Sequence, residues 1–186
     1  MKKRHIMLGI TGGIAAYKAC DIVNLLRKEG HSVQAVMTNA AQQFITPLTL
    51  QSLTGETVYT DADIFKLMEK VNIEHINVAQ RADLALIAPA TANTIGKIAG
   101  GIADDALSTS MVSLKSGTPR IIAPAMNTEI YNNPIVQDNI EKLKQYGFKF
   151  VGPREGMLAC GDRGIGVIEH PKAIVQSVLE ELEKLD

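Results

Sequence analysis

Five short segments carry residues able to do chemistry. The first, Gly9-Ile-Thr-Gly-Gly-Ile-Ala-Ala-Tyr-Lys18, sets Gly12 and Gly13 between an apolar run and an amphipathic one. Glycines at such a strand-to-helix turn let backbone N–H groups approach a phosphate at a helix N-terminus; a tight turn packed for its own sake would use the same residues. The spacing is neither G-x-G-x-x-G nor a Walker A loop. The second strand ends in Met37-Thr38-Asn39, without the acid that holds an NAD ribose or the arginine that takes a 2′-phosphate. The second segment, Pro89-Ala-Thr-Ala-Asn-Thr94, offers hydroxyls and an amide directly after the apolar run Leu84–Ala88. Thr91, Asn93 and Thr94 can hydrogen-bond a phosphate or a polar ring edge, or Thr91 or Asn93 can simply cap a helix. The third, Pro124-Ala-Met-Asn127, again follows an apolar run, and Asn127 reads equally as a turn residue or as a donor to a carboxylate.

The fourth segment holds His75, in Asn72-Ile-Glu-His-Ile76, and the fifth holds Cys160, in Leu158-Ala-Cys-Gly-Asp162. A lone histidine is usually structural, and none of the four histidines pairs at metal-ligand spacing, so no metal is expected. A thiol among glycines is an unusual core cysteine and suits an acid, nucleophile or redox group. Cys20, by contrast, lies inside a helical pattern with Ala16 and Val23 and reads as packing.

The elements that must position these residues follow from periodicity. Strands are expected over His5–Thr11, Ser32–Met37, Leu84–Ala88, Arg120–Ala123 and Phe148–Val151. Helices are expected over Ile14–Glu29, Pro47–Leu53, Ile76–Arg81, Asn93–Ala99, Asp104–Leu114, Pro134–Tyr146 and Pro171–Lys184, with Asn39 capping a further short one. This alternation implies an α/β fold, a doubly wound, Rossmann-like parallel sheet with helices on both faces. Strand C-termini are where such sheets bind ligands, so the first three segments converge on one cleft. Residues 152–166 break the pattern. With Gly152, Gly156, Gly161, Gly164 and Gly166 and no hydrophobic period, they read as a long structureless flap.

Composition narrows the partners. The 186 residues are 46% hydrophobic and 21% charged with a net charge of −1, which gives no electrostatic case for nucleic acid or a membrane surface. The Met1-Lys2-Lys3-Arg4 start and the apolar run through Ile10 read as a buried strand rather than a signal peptide, and two cysteines make no disulfide framework. A reducing cytoplasm is the expected home.

Taken in order, Gly12-Gly13-Ile-Ala-Ala-Tyr-Lys18, His75, Pro89-Ala-Thr-Ala-Asn-Thr94, Ala103-Asp-Asp105, Pro124-Ala-Met-Asn127 and Ala159-Cys-Gly-Asp-Arg-Gly164 resemble the flavin-dependent cysteine decarboxylase family. Phe44-Ile-Thr-Pro-Leu48 resembles its coenzyme A branch. The resemblance implies FMN as cofactor and 4′-phosphopantothenoylcysteine as small-molecule substrate, decarboxylated to 4′-phosphopantetheine by thiol oxidation, CO₂ loss and re-reduction. It implies one decarboxylase domain over 1–186, a homotrimer or dodecamer, and either a stand-alone enzyme or the N-terminal half of a bifunctional one. It assigns Gly12, Gly13, Thr38, Pro89, Thr91, Asn93 and Thr94 to the flavin, and Asn127, Met126, Ala159 and Gly161 to the substrate. His75 becomes the acid/base and Cys160 the final proton donor. The alternatives are an oxidative peptidyl-cysteine decarboxylase, a flavin prenyltransferase, and a non-catalytic phosphatase regulator.

Overall fold

The computed structural model describes residues 2–66, 74–159 and 161–185. Its core is a parallel sheet of six strands: β1 (His5–Ile10), β2 (Ser32–Met37), β3 (Tyr59–Thr60), β4 (Leu84–Ala90), β5 (Arg120–Pro124) and β6 (Phe148–Phe150). They lie in the order β3-β2-β1-β4-β5-β6, so the winding reverses between β1 and β4. The apolar runs form strands because each is covered on both faces, and all seven residues of β4 are buried. Alternation sorts the side chains. Leu8 and Ile10 of β1 and Leu84 and Leu86 of β4 face one core, while Met7, Ala85 and Ile87 face the other.

The first core is closed by α1 (Lys18–Lys28), α2 (Pro47–Thr54) and α9 (Pro171–Glu183), through Ile22, Leu26, Leu50, Ile174 and Val178. The second is closed by α4 (Glu74–Arg81), α5 (Ala92–Gly100), α6 (Ala106–Val112) and α8 (Pro134–Gln145), through Ala79, Ile95, Leu107 and Ile140. Two further short helices are α3 (Asp61–Lys66) and α7 (Thr128–Asn132). Among the described residues no helix is long and apolar enough to cross a membrane.

Three expectations need correction. The helix expected from Ile14 begins as a 3₁₀ turn over Ile14–Tyr17 and becomes α-helical only at Lys18. Asn39 caps no α-helix: a 3₁₀ turn follows at Ala41–Gln43, and the Ala41 N–H donates to Thr38 Oγ1 at 3.2 Å. Finally, 152–166 is not structureless. It holds an antiparallel hairpin of β7 (Arg154–Met157) and β8 (Arg163–Val167). The hairpin has no hydrophobic period because the glycines of β8 are seated on the Met126 carbonyl and the Thr128 side chain. A Cβ at Gly166 would strike the Met126 carbonyl oxygen, and one at Gly164 would strike Thr128 Oγ1. The Met126 N–H donates to the Gly166 carbonyl at 3.0 Å, and Thr128 Oγ1 donates to the Ile165 carbonyl at 2.7 Å.

Candidate active site

The loops after β1, β4 and β5 meet where the sheet reverses, and one buried side chain joins two of them. Thr11 is 1% exposed. Its Oγ1 donates to the Pro89 carbonyl at 2.8 Å and accepts from the Thr91 N–H at 3.0 Å, and its own N–H reaches the same carbonyl at 3.3 Å. Ala125 N–H donates to the Ala90 carbonyl at 3.0 Å, which ties the third loop to the second. Above these loops lies a cavity of about 800 Å³, walled by them, by the start of α1, by the β7–β8 hairpin and by the start of α9. That volume is the scale of a cofactor or drug-sized ligand.

Gly12, Gly13, Pro89, Thr91, Asn93, Met126, Asn127 and Ala159 all line this cavity. Gly12 must be glycine, because a Cβ there would strike the Ala40 Cβ on the loop after β2. A Cβ at Gly13 would meet nothing within 4 Å, so the backbone of this turn stands open to the cavity. Thr91 is the N-cap of α5 and accepts from Thr94 N–H at 3.4 Å. Asn127 caps α7, its Oδ1 accepting from Glu129 N–H at 2.8 Å, which turns its amide nitrogen into the half suited to donate. Capping and ligand contact are therefore compatible at both positions.

Thr38, Thr94 and Gly161 lie outside the wall formed by the described residues. Thr94 is buried beneath Thr91, with the two hydroxyls 3.3 Å apart, and Thr38 steadies the turn that abuts Gly12. His75 falls in α4, but its side chain lies outside the described residues, as does Cys160. Cys20 packs half-buried against the first core, and burial, reinforced by Asp21, raises its thiol above the ordinary range, as befits a packing residue. The Ala103–Asp105 segment belongs to the frame. Lys97 reaches Asp104 at 2.6 Å and Asp105 at 2.7 Å, while Asp105 caps α6, so α5 and α6 are locked together.

Sequence reasoning missed three residues here. Thr11 reads as an ordinary strand end, although a hydroxyl directly before a glycine pair was the available signal. Lys18 and Arg154 also line the cavity and give it positive charge. The single carboxylate on the wall among the described residues, Glu169, accepts from the His170 N–H at 2.7 Å.

Known proteins resemble this chain in sequence and fold. The chain is 45% identical over 179 residues to the probable phosphopantothenoylcysteine decarboxylase of Streptococcus mutans, covering 96% of this chain and 99% of that protein. Bifunctional coenzyme A biosynthesis proteins also match, the chain spanning 46% of the one from Borreliella burgdorferi and 42% of the one from Bacillus subtilis. A solved cysteine-to-serine mutant of PPC decarboxylase, complexed with pantothenoylaminoethenethiol, superposes with a TM-score of 0.91 at 33% identity, covering 98% of this chain and all of that one. The FMN-binding protein AtHal3 superposes at 0.88 with 34% identity, covering 98% of each chain. The Flavoprotein family model matches residues 1–183, and with the phosphate-type turn and hydroxyl-lined loops meeting at the sheet's reversal, the chain belongs to that family.

Proposed function

We propose that this protein decarboxylates 4′-phospho-N-pantothenoylcysteine to 4′-phosphopantetheine, with FMN as cofactor, in the cytoplasm and as a homotrimer or dodecamer. The observation that carries the reading is the convergence of the three strand-end loops and the Cys160-bearing hairpin on one cavity. The residues present fit FMN. The first turn offers open backbone at Gly13 and no acid, Thr91 and Asn93 add neutral donors at the start of α5, and Met126 and Leu158 give an apolar wall for a flat ring. When bound, FMN supplies the two-electron oxidation of the substrate thiol and the return of those electrons after CO₂ has left.

The chain's own residues orient and protonate. Gly12, Gly13, Pro89, Thr91 and Asn93 hold the cofactor directly, with Thr38 and Thr94 steadying the turns behind them. The Asn127 amide donates to the substrate carboxylate, which keeps that group aligned while its C–C bond breaks. Met126, Ala159 and Gly161 flank the substrate. His75 moves the thiol proton, and Cys160 gives the proton that completes the saturated product. The names of the relatives agree with this chemistry: one is a probable phosphopantothenoylcysteine decarboxylase, and a mutant of another is complexed with an ethenethiol.

The test is incubation of the purified yellow protein with phosphopantothenoylcysteine, following CO₂ and product mass. A saturated thiol is expected. A product two hydrogens lighter would select oxidative decarboxylation instead, and absence of CO₂ would overturn the reading.

A further inference from the structure

Arg154 opens β7 at the base of the hairpin, is half-buried and lines the cavity. Its Nε–H donates to the Ile168 carbonyl at 3.2 Å and an Nη1–H donates to the Glu155 carbonyl at 3.4 Å. These bonds fix the plane of the guanidinium and leave the outer N–H groups of its fork to a ligand. Among the described residues no carboxylate pairs with it. Lys18, the other lysine or arginine on the wall among the described residues, is engaged: its ammonium is 3.9 Å from Asp21 and 4.8 Å from the Tyr17 ring centroid.

A partly desolvated cation held by backbone carbonyls and lacking a counter-ion is prepared for an anion. Two phosphates belong to the proposed reaction, one on the flavin and one on the substrate. The flavin phosphate already has neutral donors on the β1 and β4 loops. Arg154 comes from neither of those loops but from the first residue of β7 in the hairpin.

We propose that Arg154 binds the terminal phosphate of the substrate and makes the enzyme select phosphorylated over unphosphorylated pantothenoylcysteine. The inference rests on the function proposed above. A phosphate dianion takes two parallel bonds from a guanidinium fork, whereas the hydroxyl of the unphosphorylated compound offers neither the charge nor the geometry. Because Arg154 is the first residue of β7, holding the phosphate also anchors the base of the hairpin beside the substrate.

The test uses the flavin-loaded enzyme and measures kcat/KM for both compounds in wild type, Arg154→Met and Arg154→Lys. Wild type is expected to favour the phosphorylated compound. In Arg154→Met the ratio of the two values falls roughly 10- to 100-fold, mainly through KM, as for loss of a charge-assisted bond. Arg154→Lys, which keeps charge without the fork, lies between. Affinities for FMN and riboflavin, titrated by flavin fluorescence, stay together. An unchanged ratio, or an equal fall with both substrates, would overturn the proposal. So would a loss of FMN affinity with riboflavin spared, since the guanidinium would then serve the cofactor. A wild-type protein inert toward both compounds would sink the functional reading itself and this inference with it.

Discussion

Replacing Thr11 by valine removes one hydroxyl and almost no volume. The hydroxyl is buried, and it is the donor to Pro89 O and the acceptor for Thr91 N–H. After the change the Pro89 carbonyl keeps a partner in Thr11 N–H at 3.3 Å. The Thr91 N–H loses its acceptor at a part-buried position. An orphaned buried N–H costs about 1–3 kcal/mol, and the lost hydroxyl bond adds about 1 kcal/mol. The expected destabilisation is therefore about 2–4 kcal/mol, close to 3 °C in Tm per kcal/mol for a chain of this size. Urea unfolding of flavin-free protein at fixed concentration measures it, with Thr11→Ser as the control that keeps the hydroxyl. Since Thr91 caps α5 and lines the cavity, FMN retention should fall with stability in the valine variant and not in the serine variant. A Thr11→Val protein within about 0.5 kcal/mol of wild type would refute the view that this hydroxyl joins the two loops.

Three further outcomes are expected. His75→Asn retains flavin yet releases CO₂ at less than about one hundredth of the wild-type rate, as for loss of a positioned acid/base; unchanged turnover removes the residue from the chemistry. Cys160→Ser still releases CO₂ but yields a product two hydrogens lighter, because a hydroxyl is a much poorer proton donor than a thiol of pKa about 8.5; the saturated thiol at the wild-type rate ends that assignment. His31 is 4% exposed, its Nδ1 accepts from Arg4 N–H at 3.3 Å, and among the described residues its Nε2 has no hydrogen-bond partner. Burial lowers its pKa below 6.5, with Arg4 and the N-terminal amine adding to the fall while Glu29 and Asp83 oppose it. The unfolded chain therefore binds the proton first, and stability is lost as pH drops below 6.5. In His31→Gln the slope of stability between about pH 5 and 7 should be shallower, and an identical slope would exclude His31 as its source.

Much of this architecture was legible in residue order. Leu84–Ala88 and Arg120–Ala123 could only be central strands, because continuous apolar runs of that length need cover on both faces. Thr91 and Asn127 left two readings open from sequence; the capping reading holds at both, and each residue also lines the cavity. The hairpin was illegible for a physical reason: periodicity detects side chains facing a core, and β8 faces carbonyls and a threonine instead. Arg154 was hidden in the same glycine-rich stretch. Thr94 looked like a ligand by type, but it is 4% exposed and lies behind Thr91 rather than on the wall formed by the described residues.

The seat of β8 on Met126–Thr128 has an energetic consequence. Where glycine backbone rests on a carbonyl and one threonine side chain, separation at the seat uncovers little hydrocarbon. Such a separation carries almost no heat-capacity change and has a denaturant slope near zero, because both scale with exposed surface. It gives up chiefly two hydrogen bonds, each worth about 1 kcal/mol net. The hairpin can therefore lift as a local fluctuation far below the free energy of global unfolding, and the Met126 amide proton, bonded to the Gly166 carbonyl, exchanges by this route while those of β1 and β4 wait for the whole sheet to open.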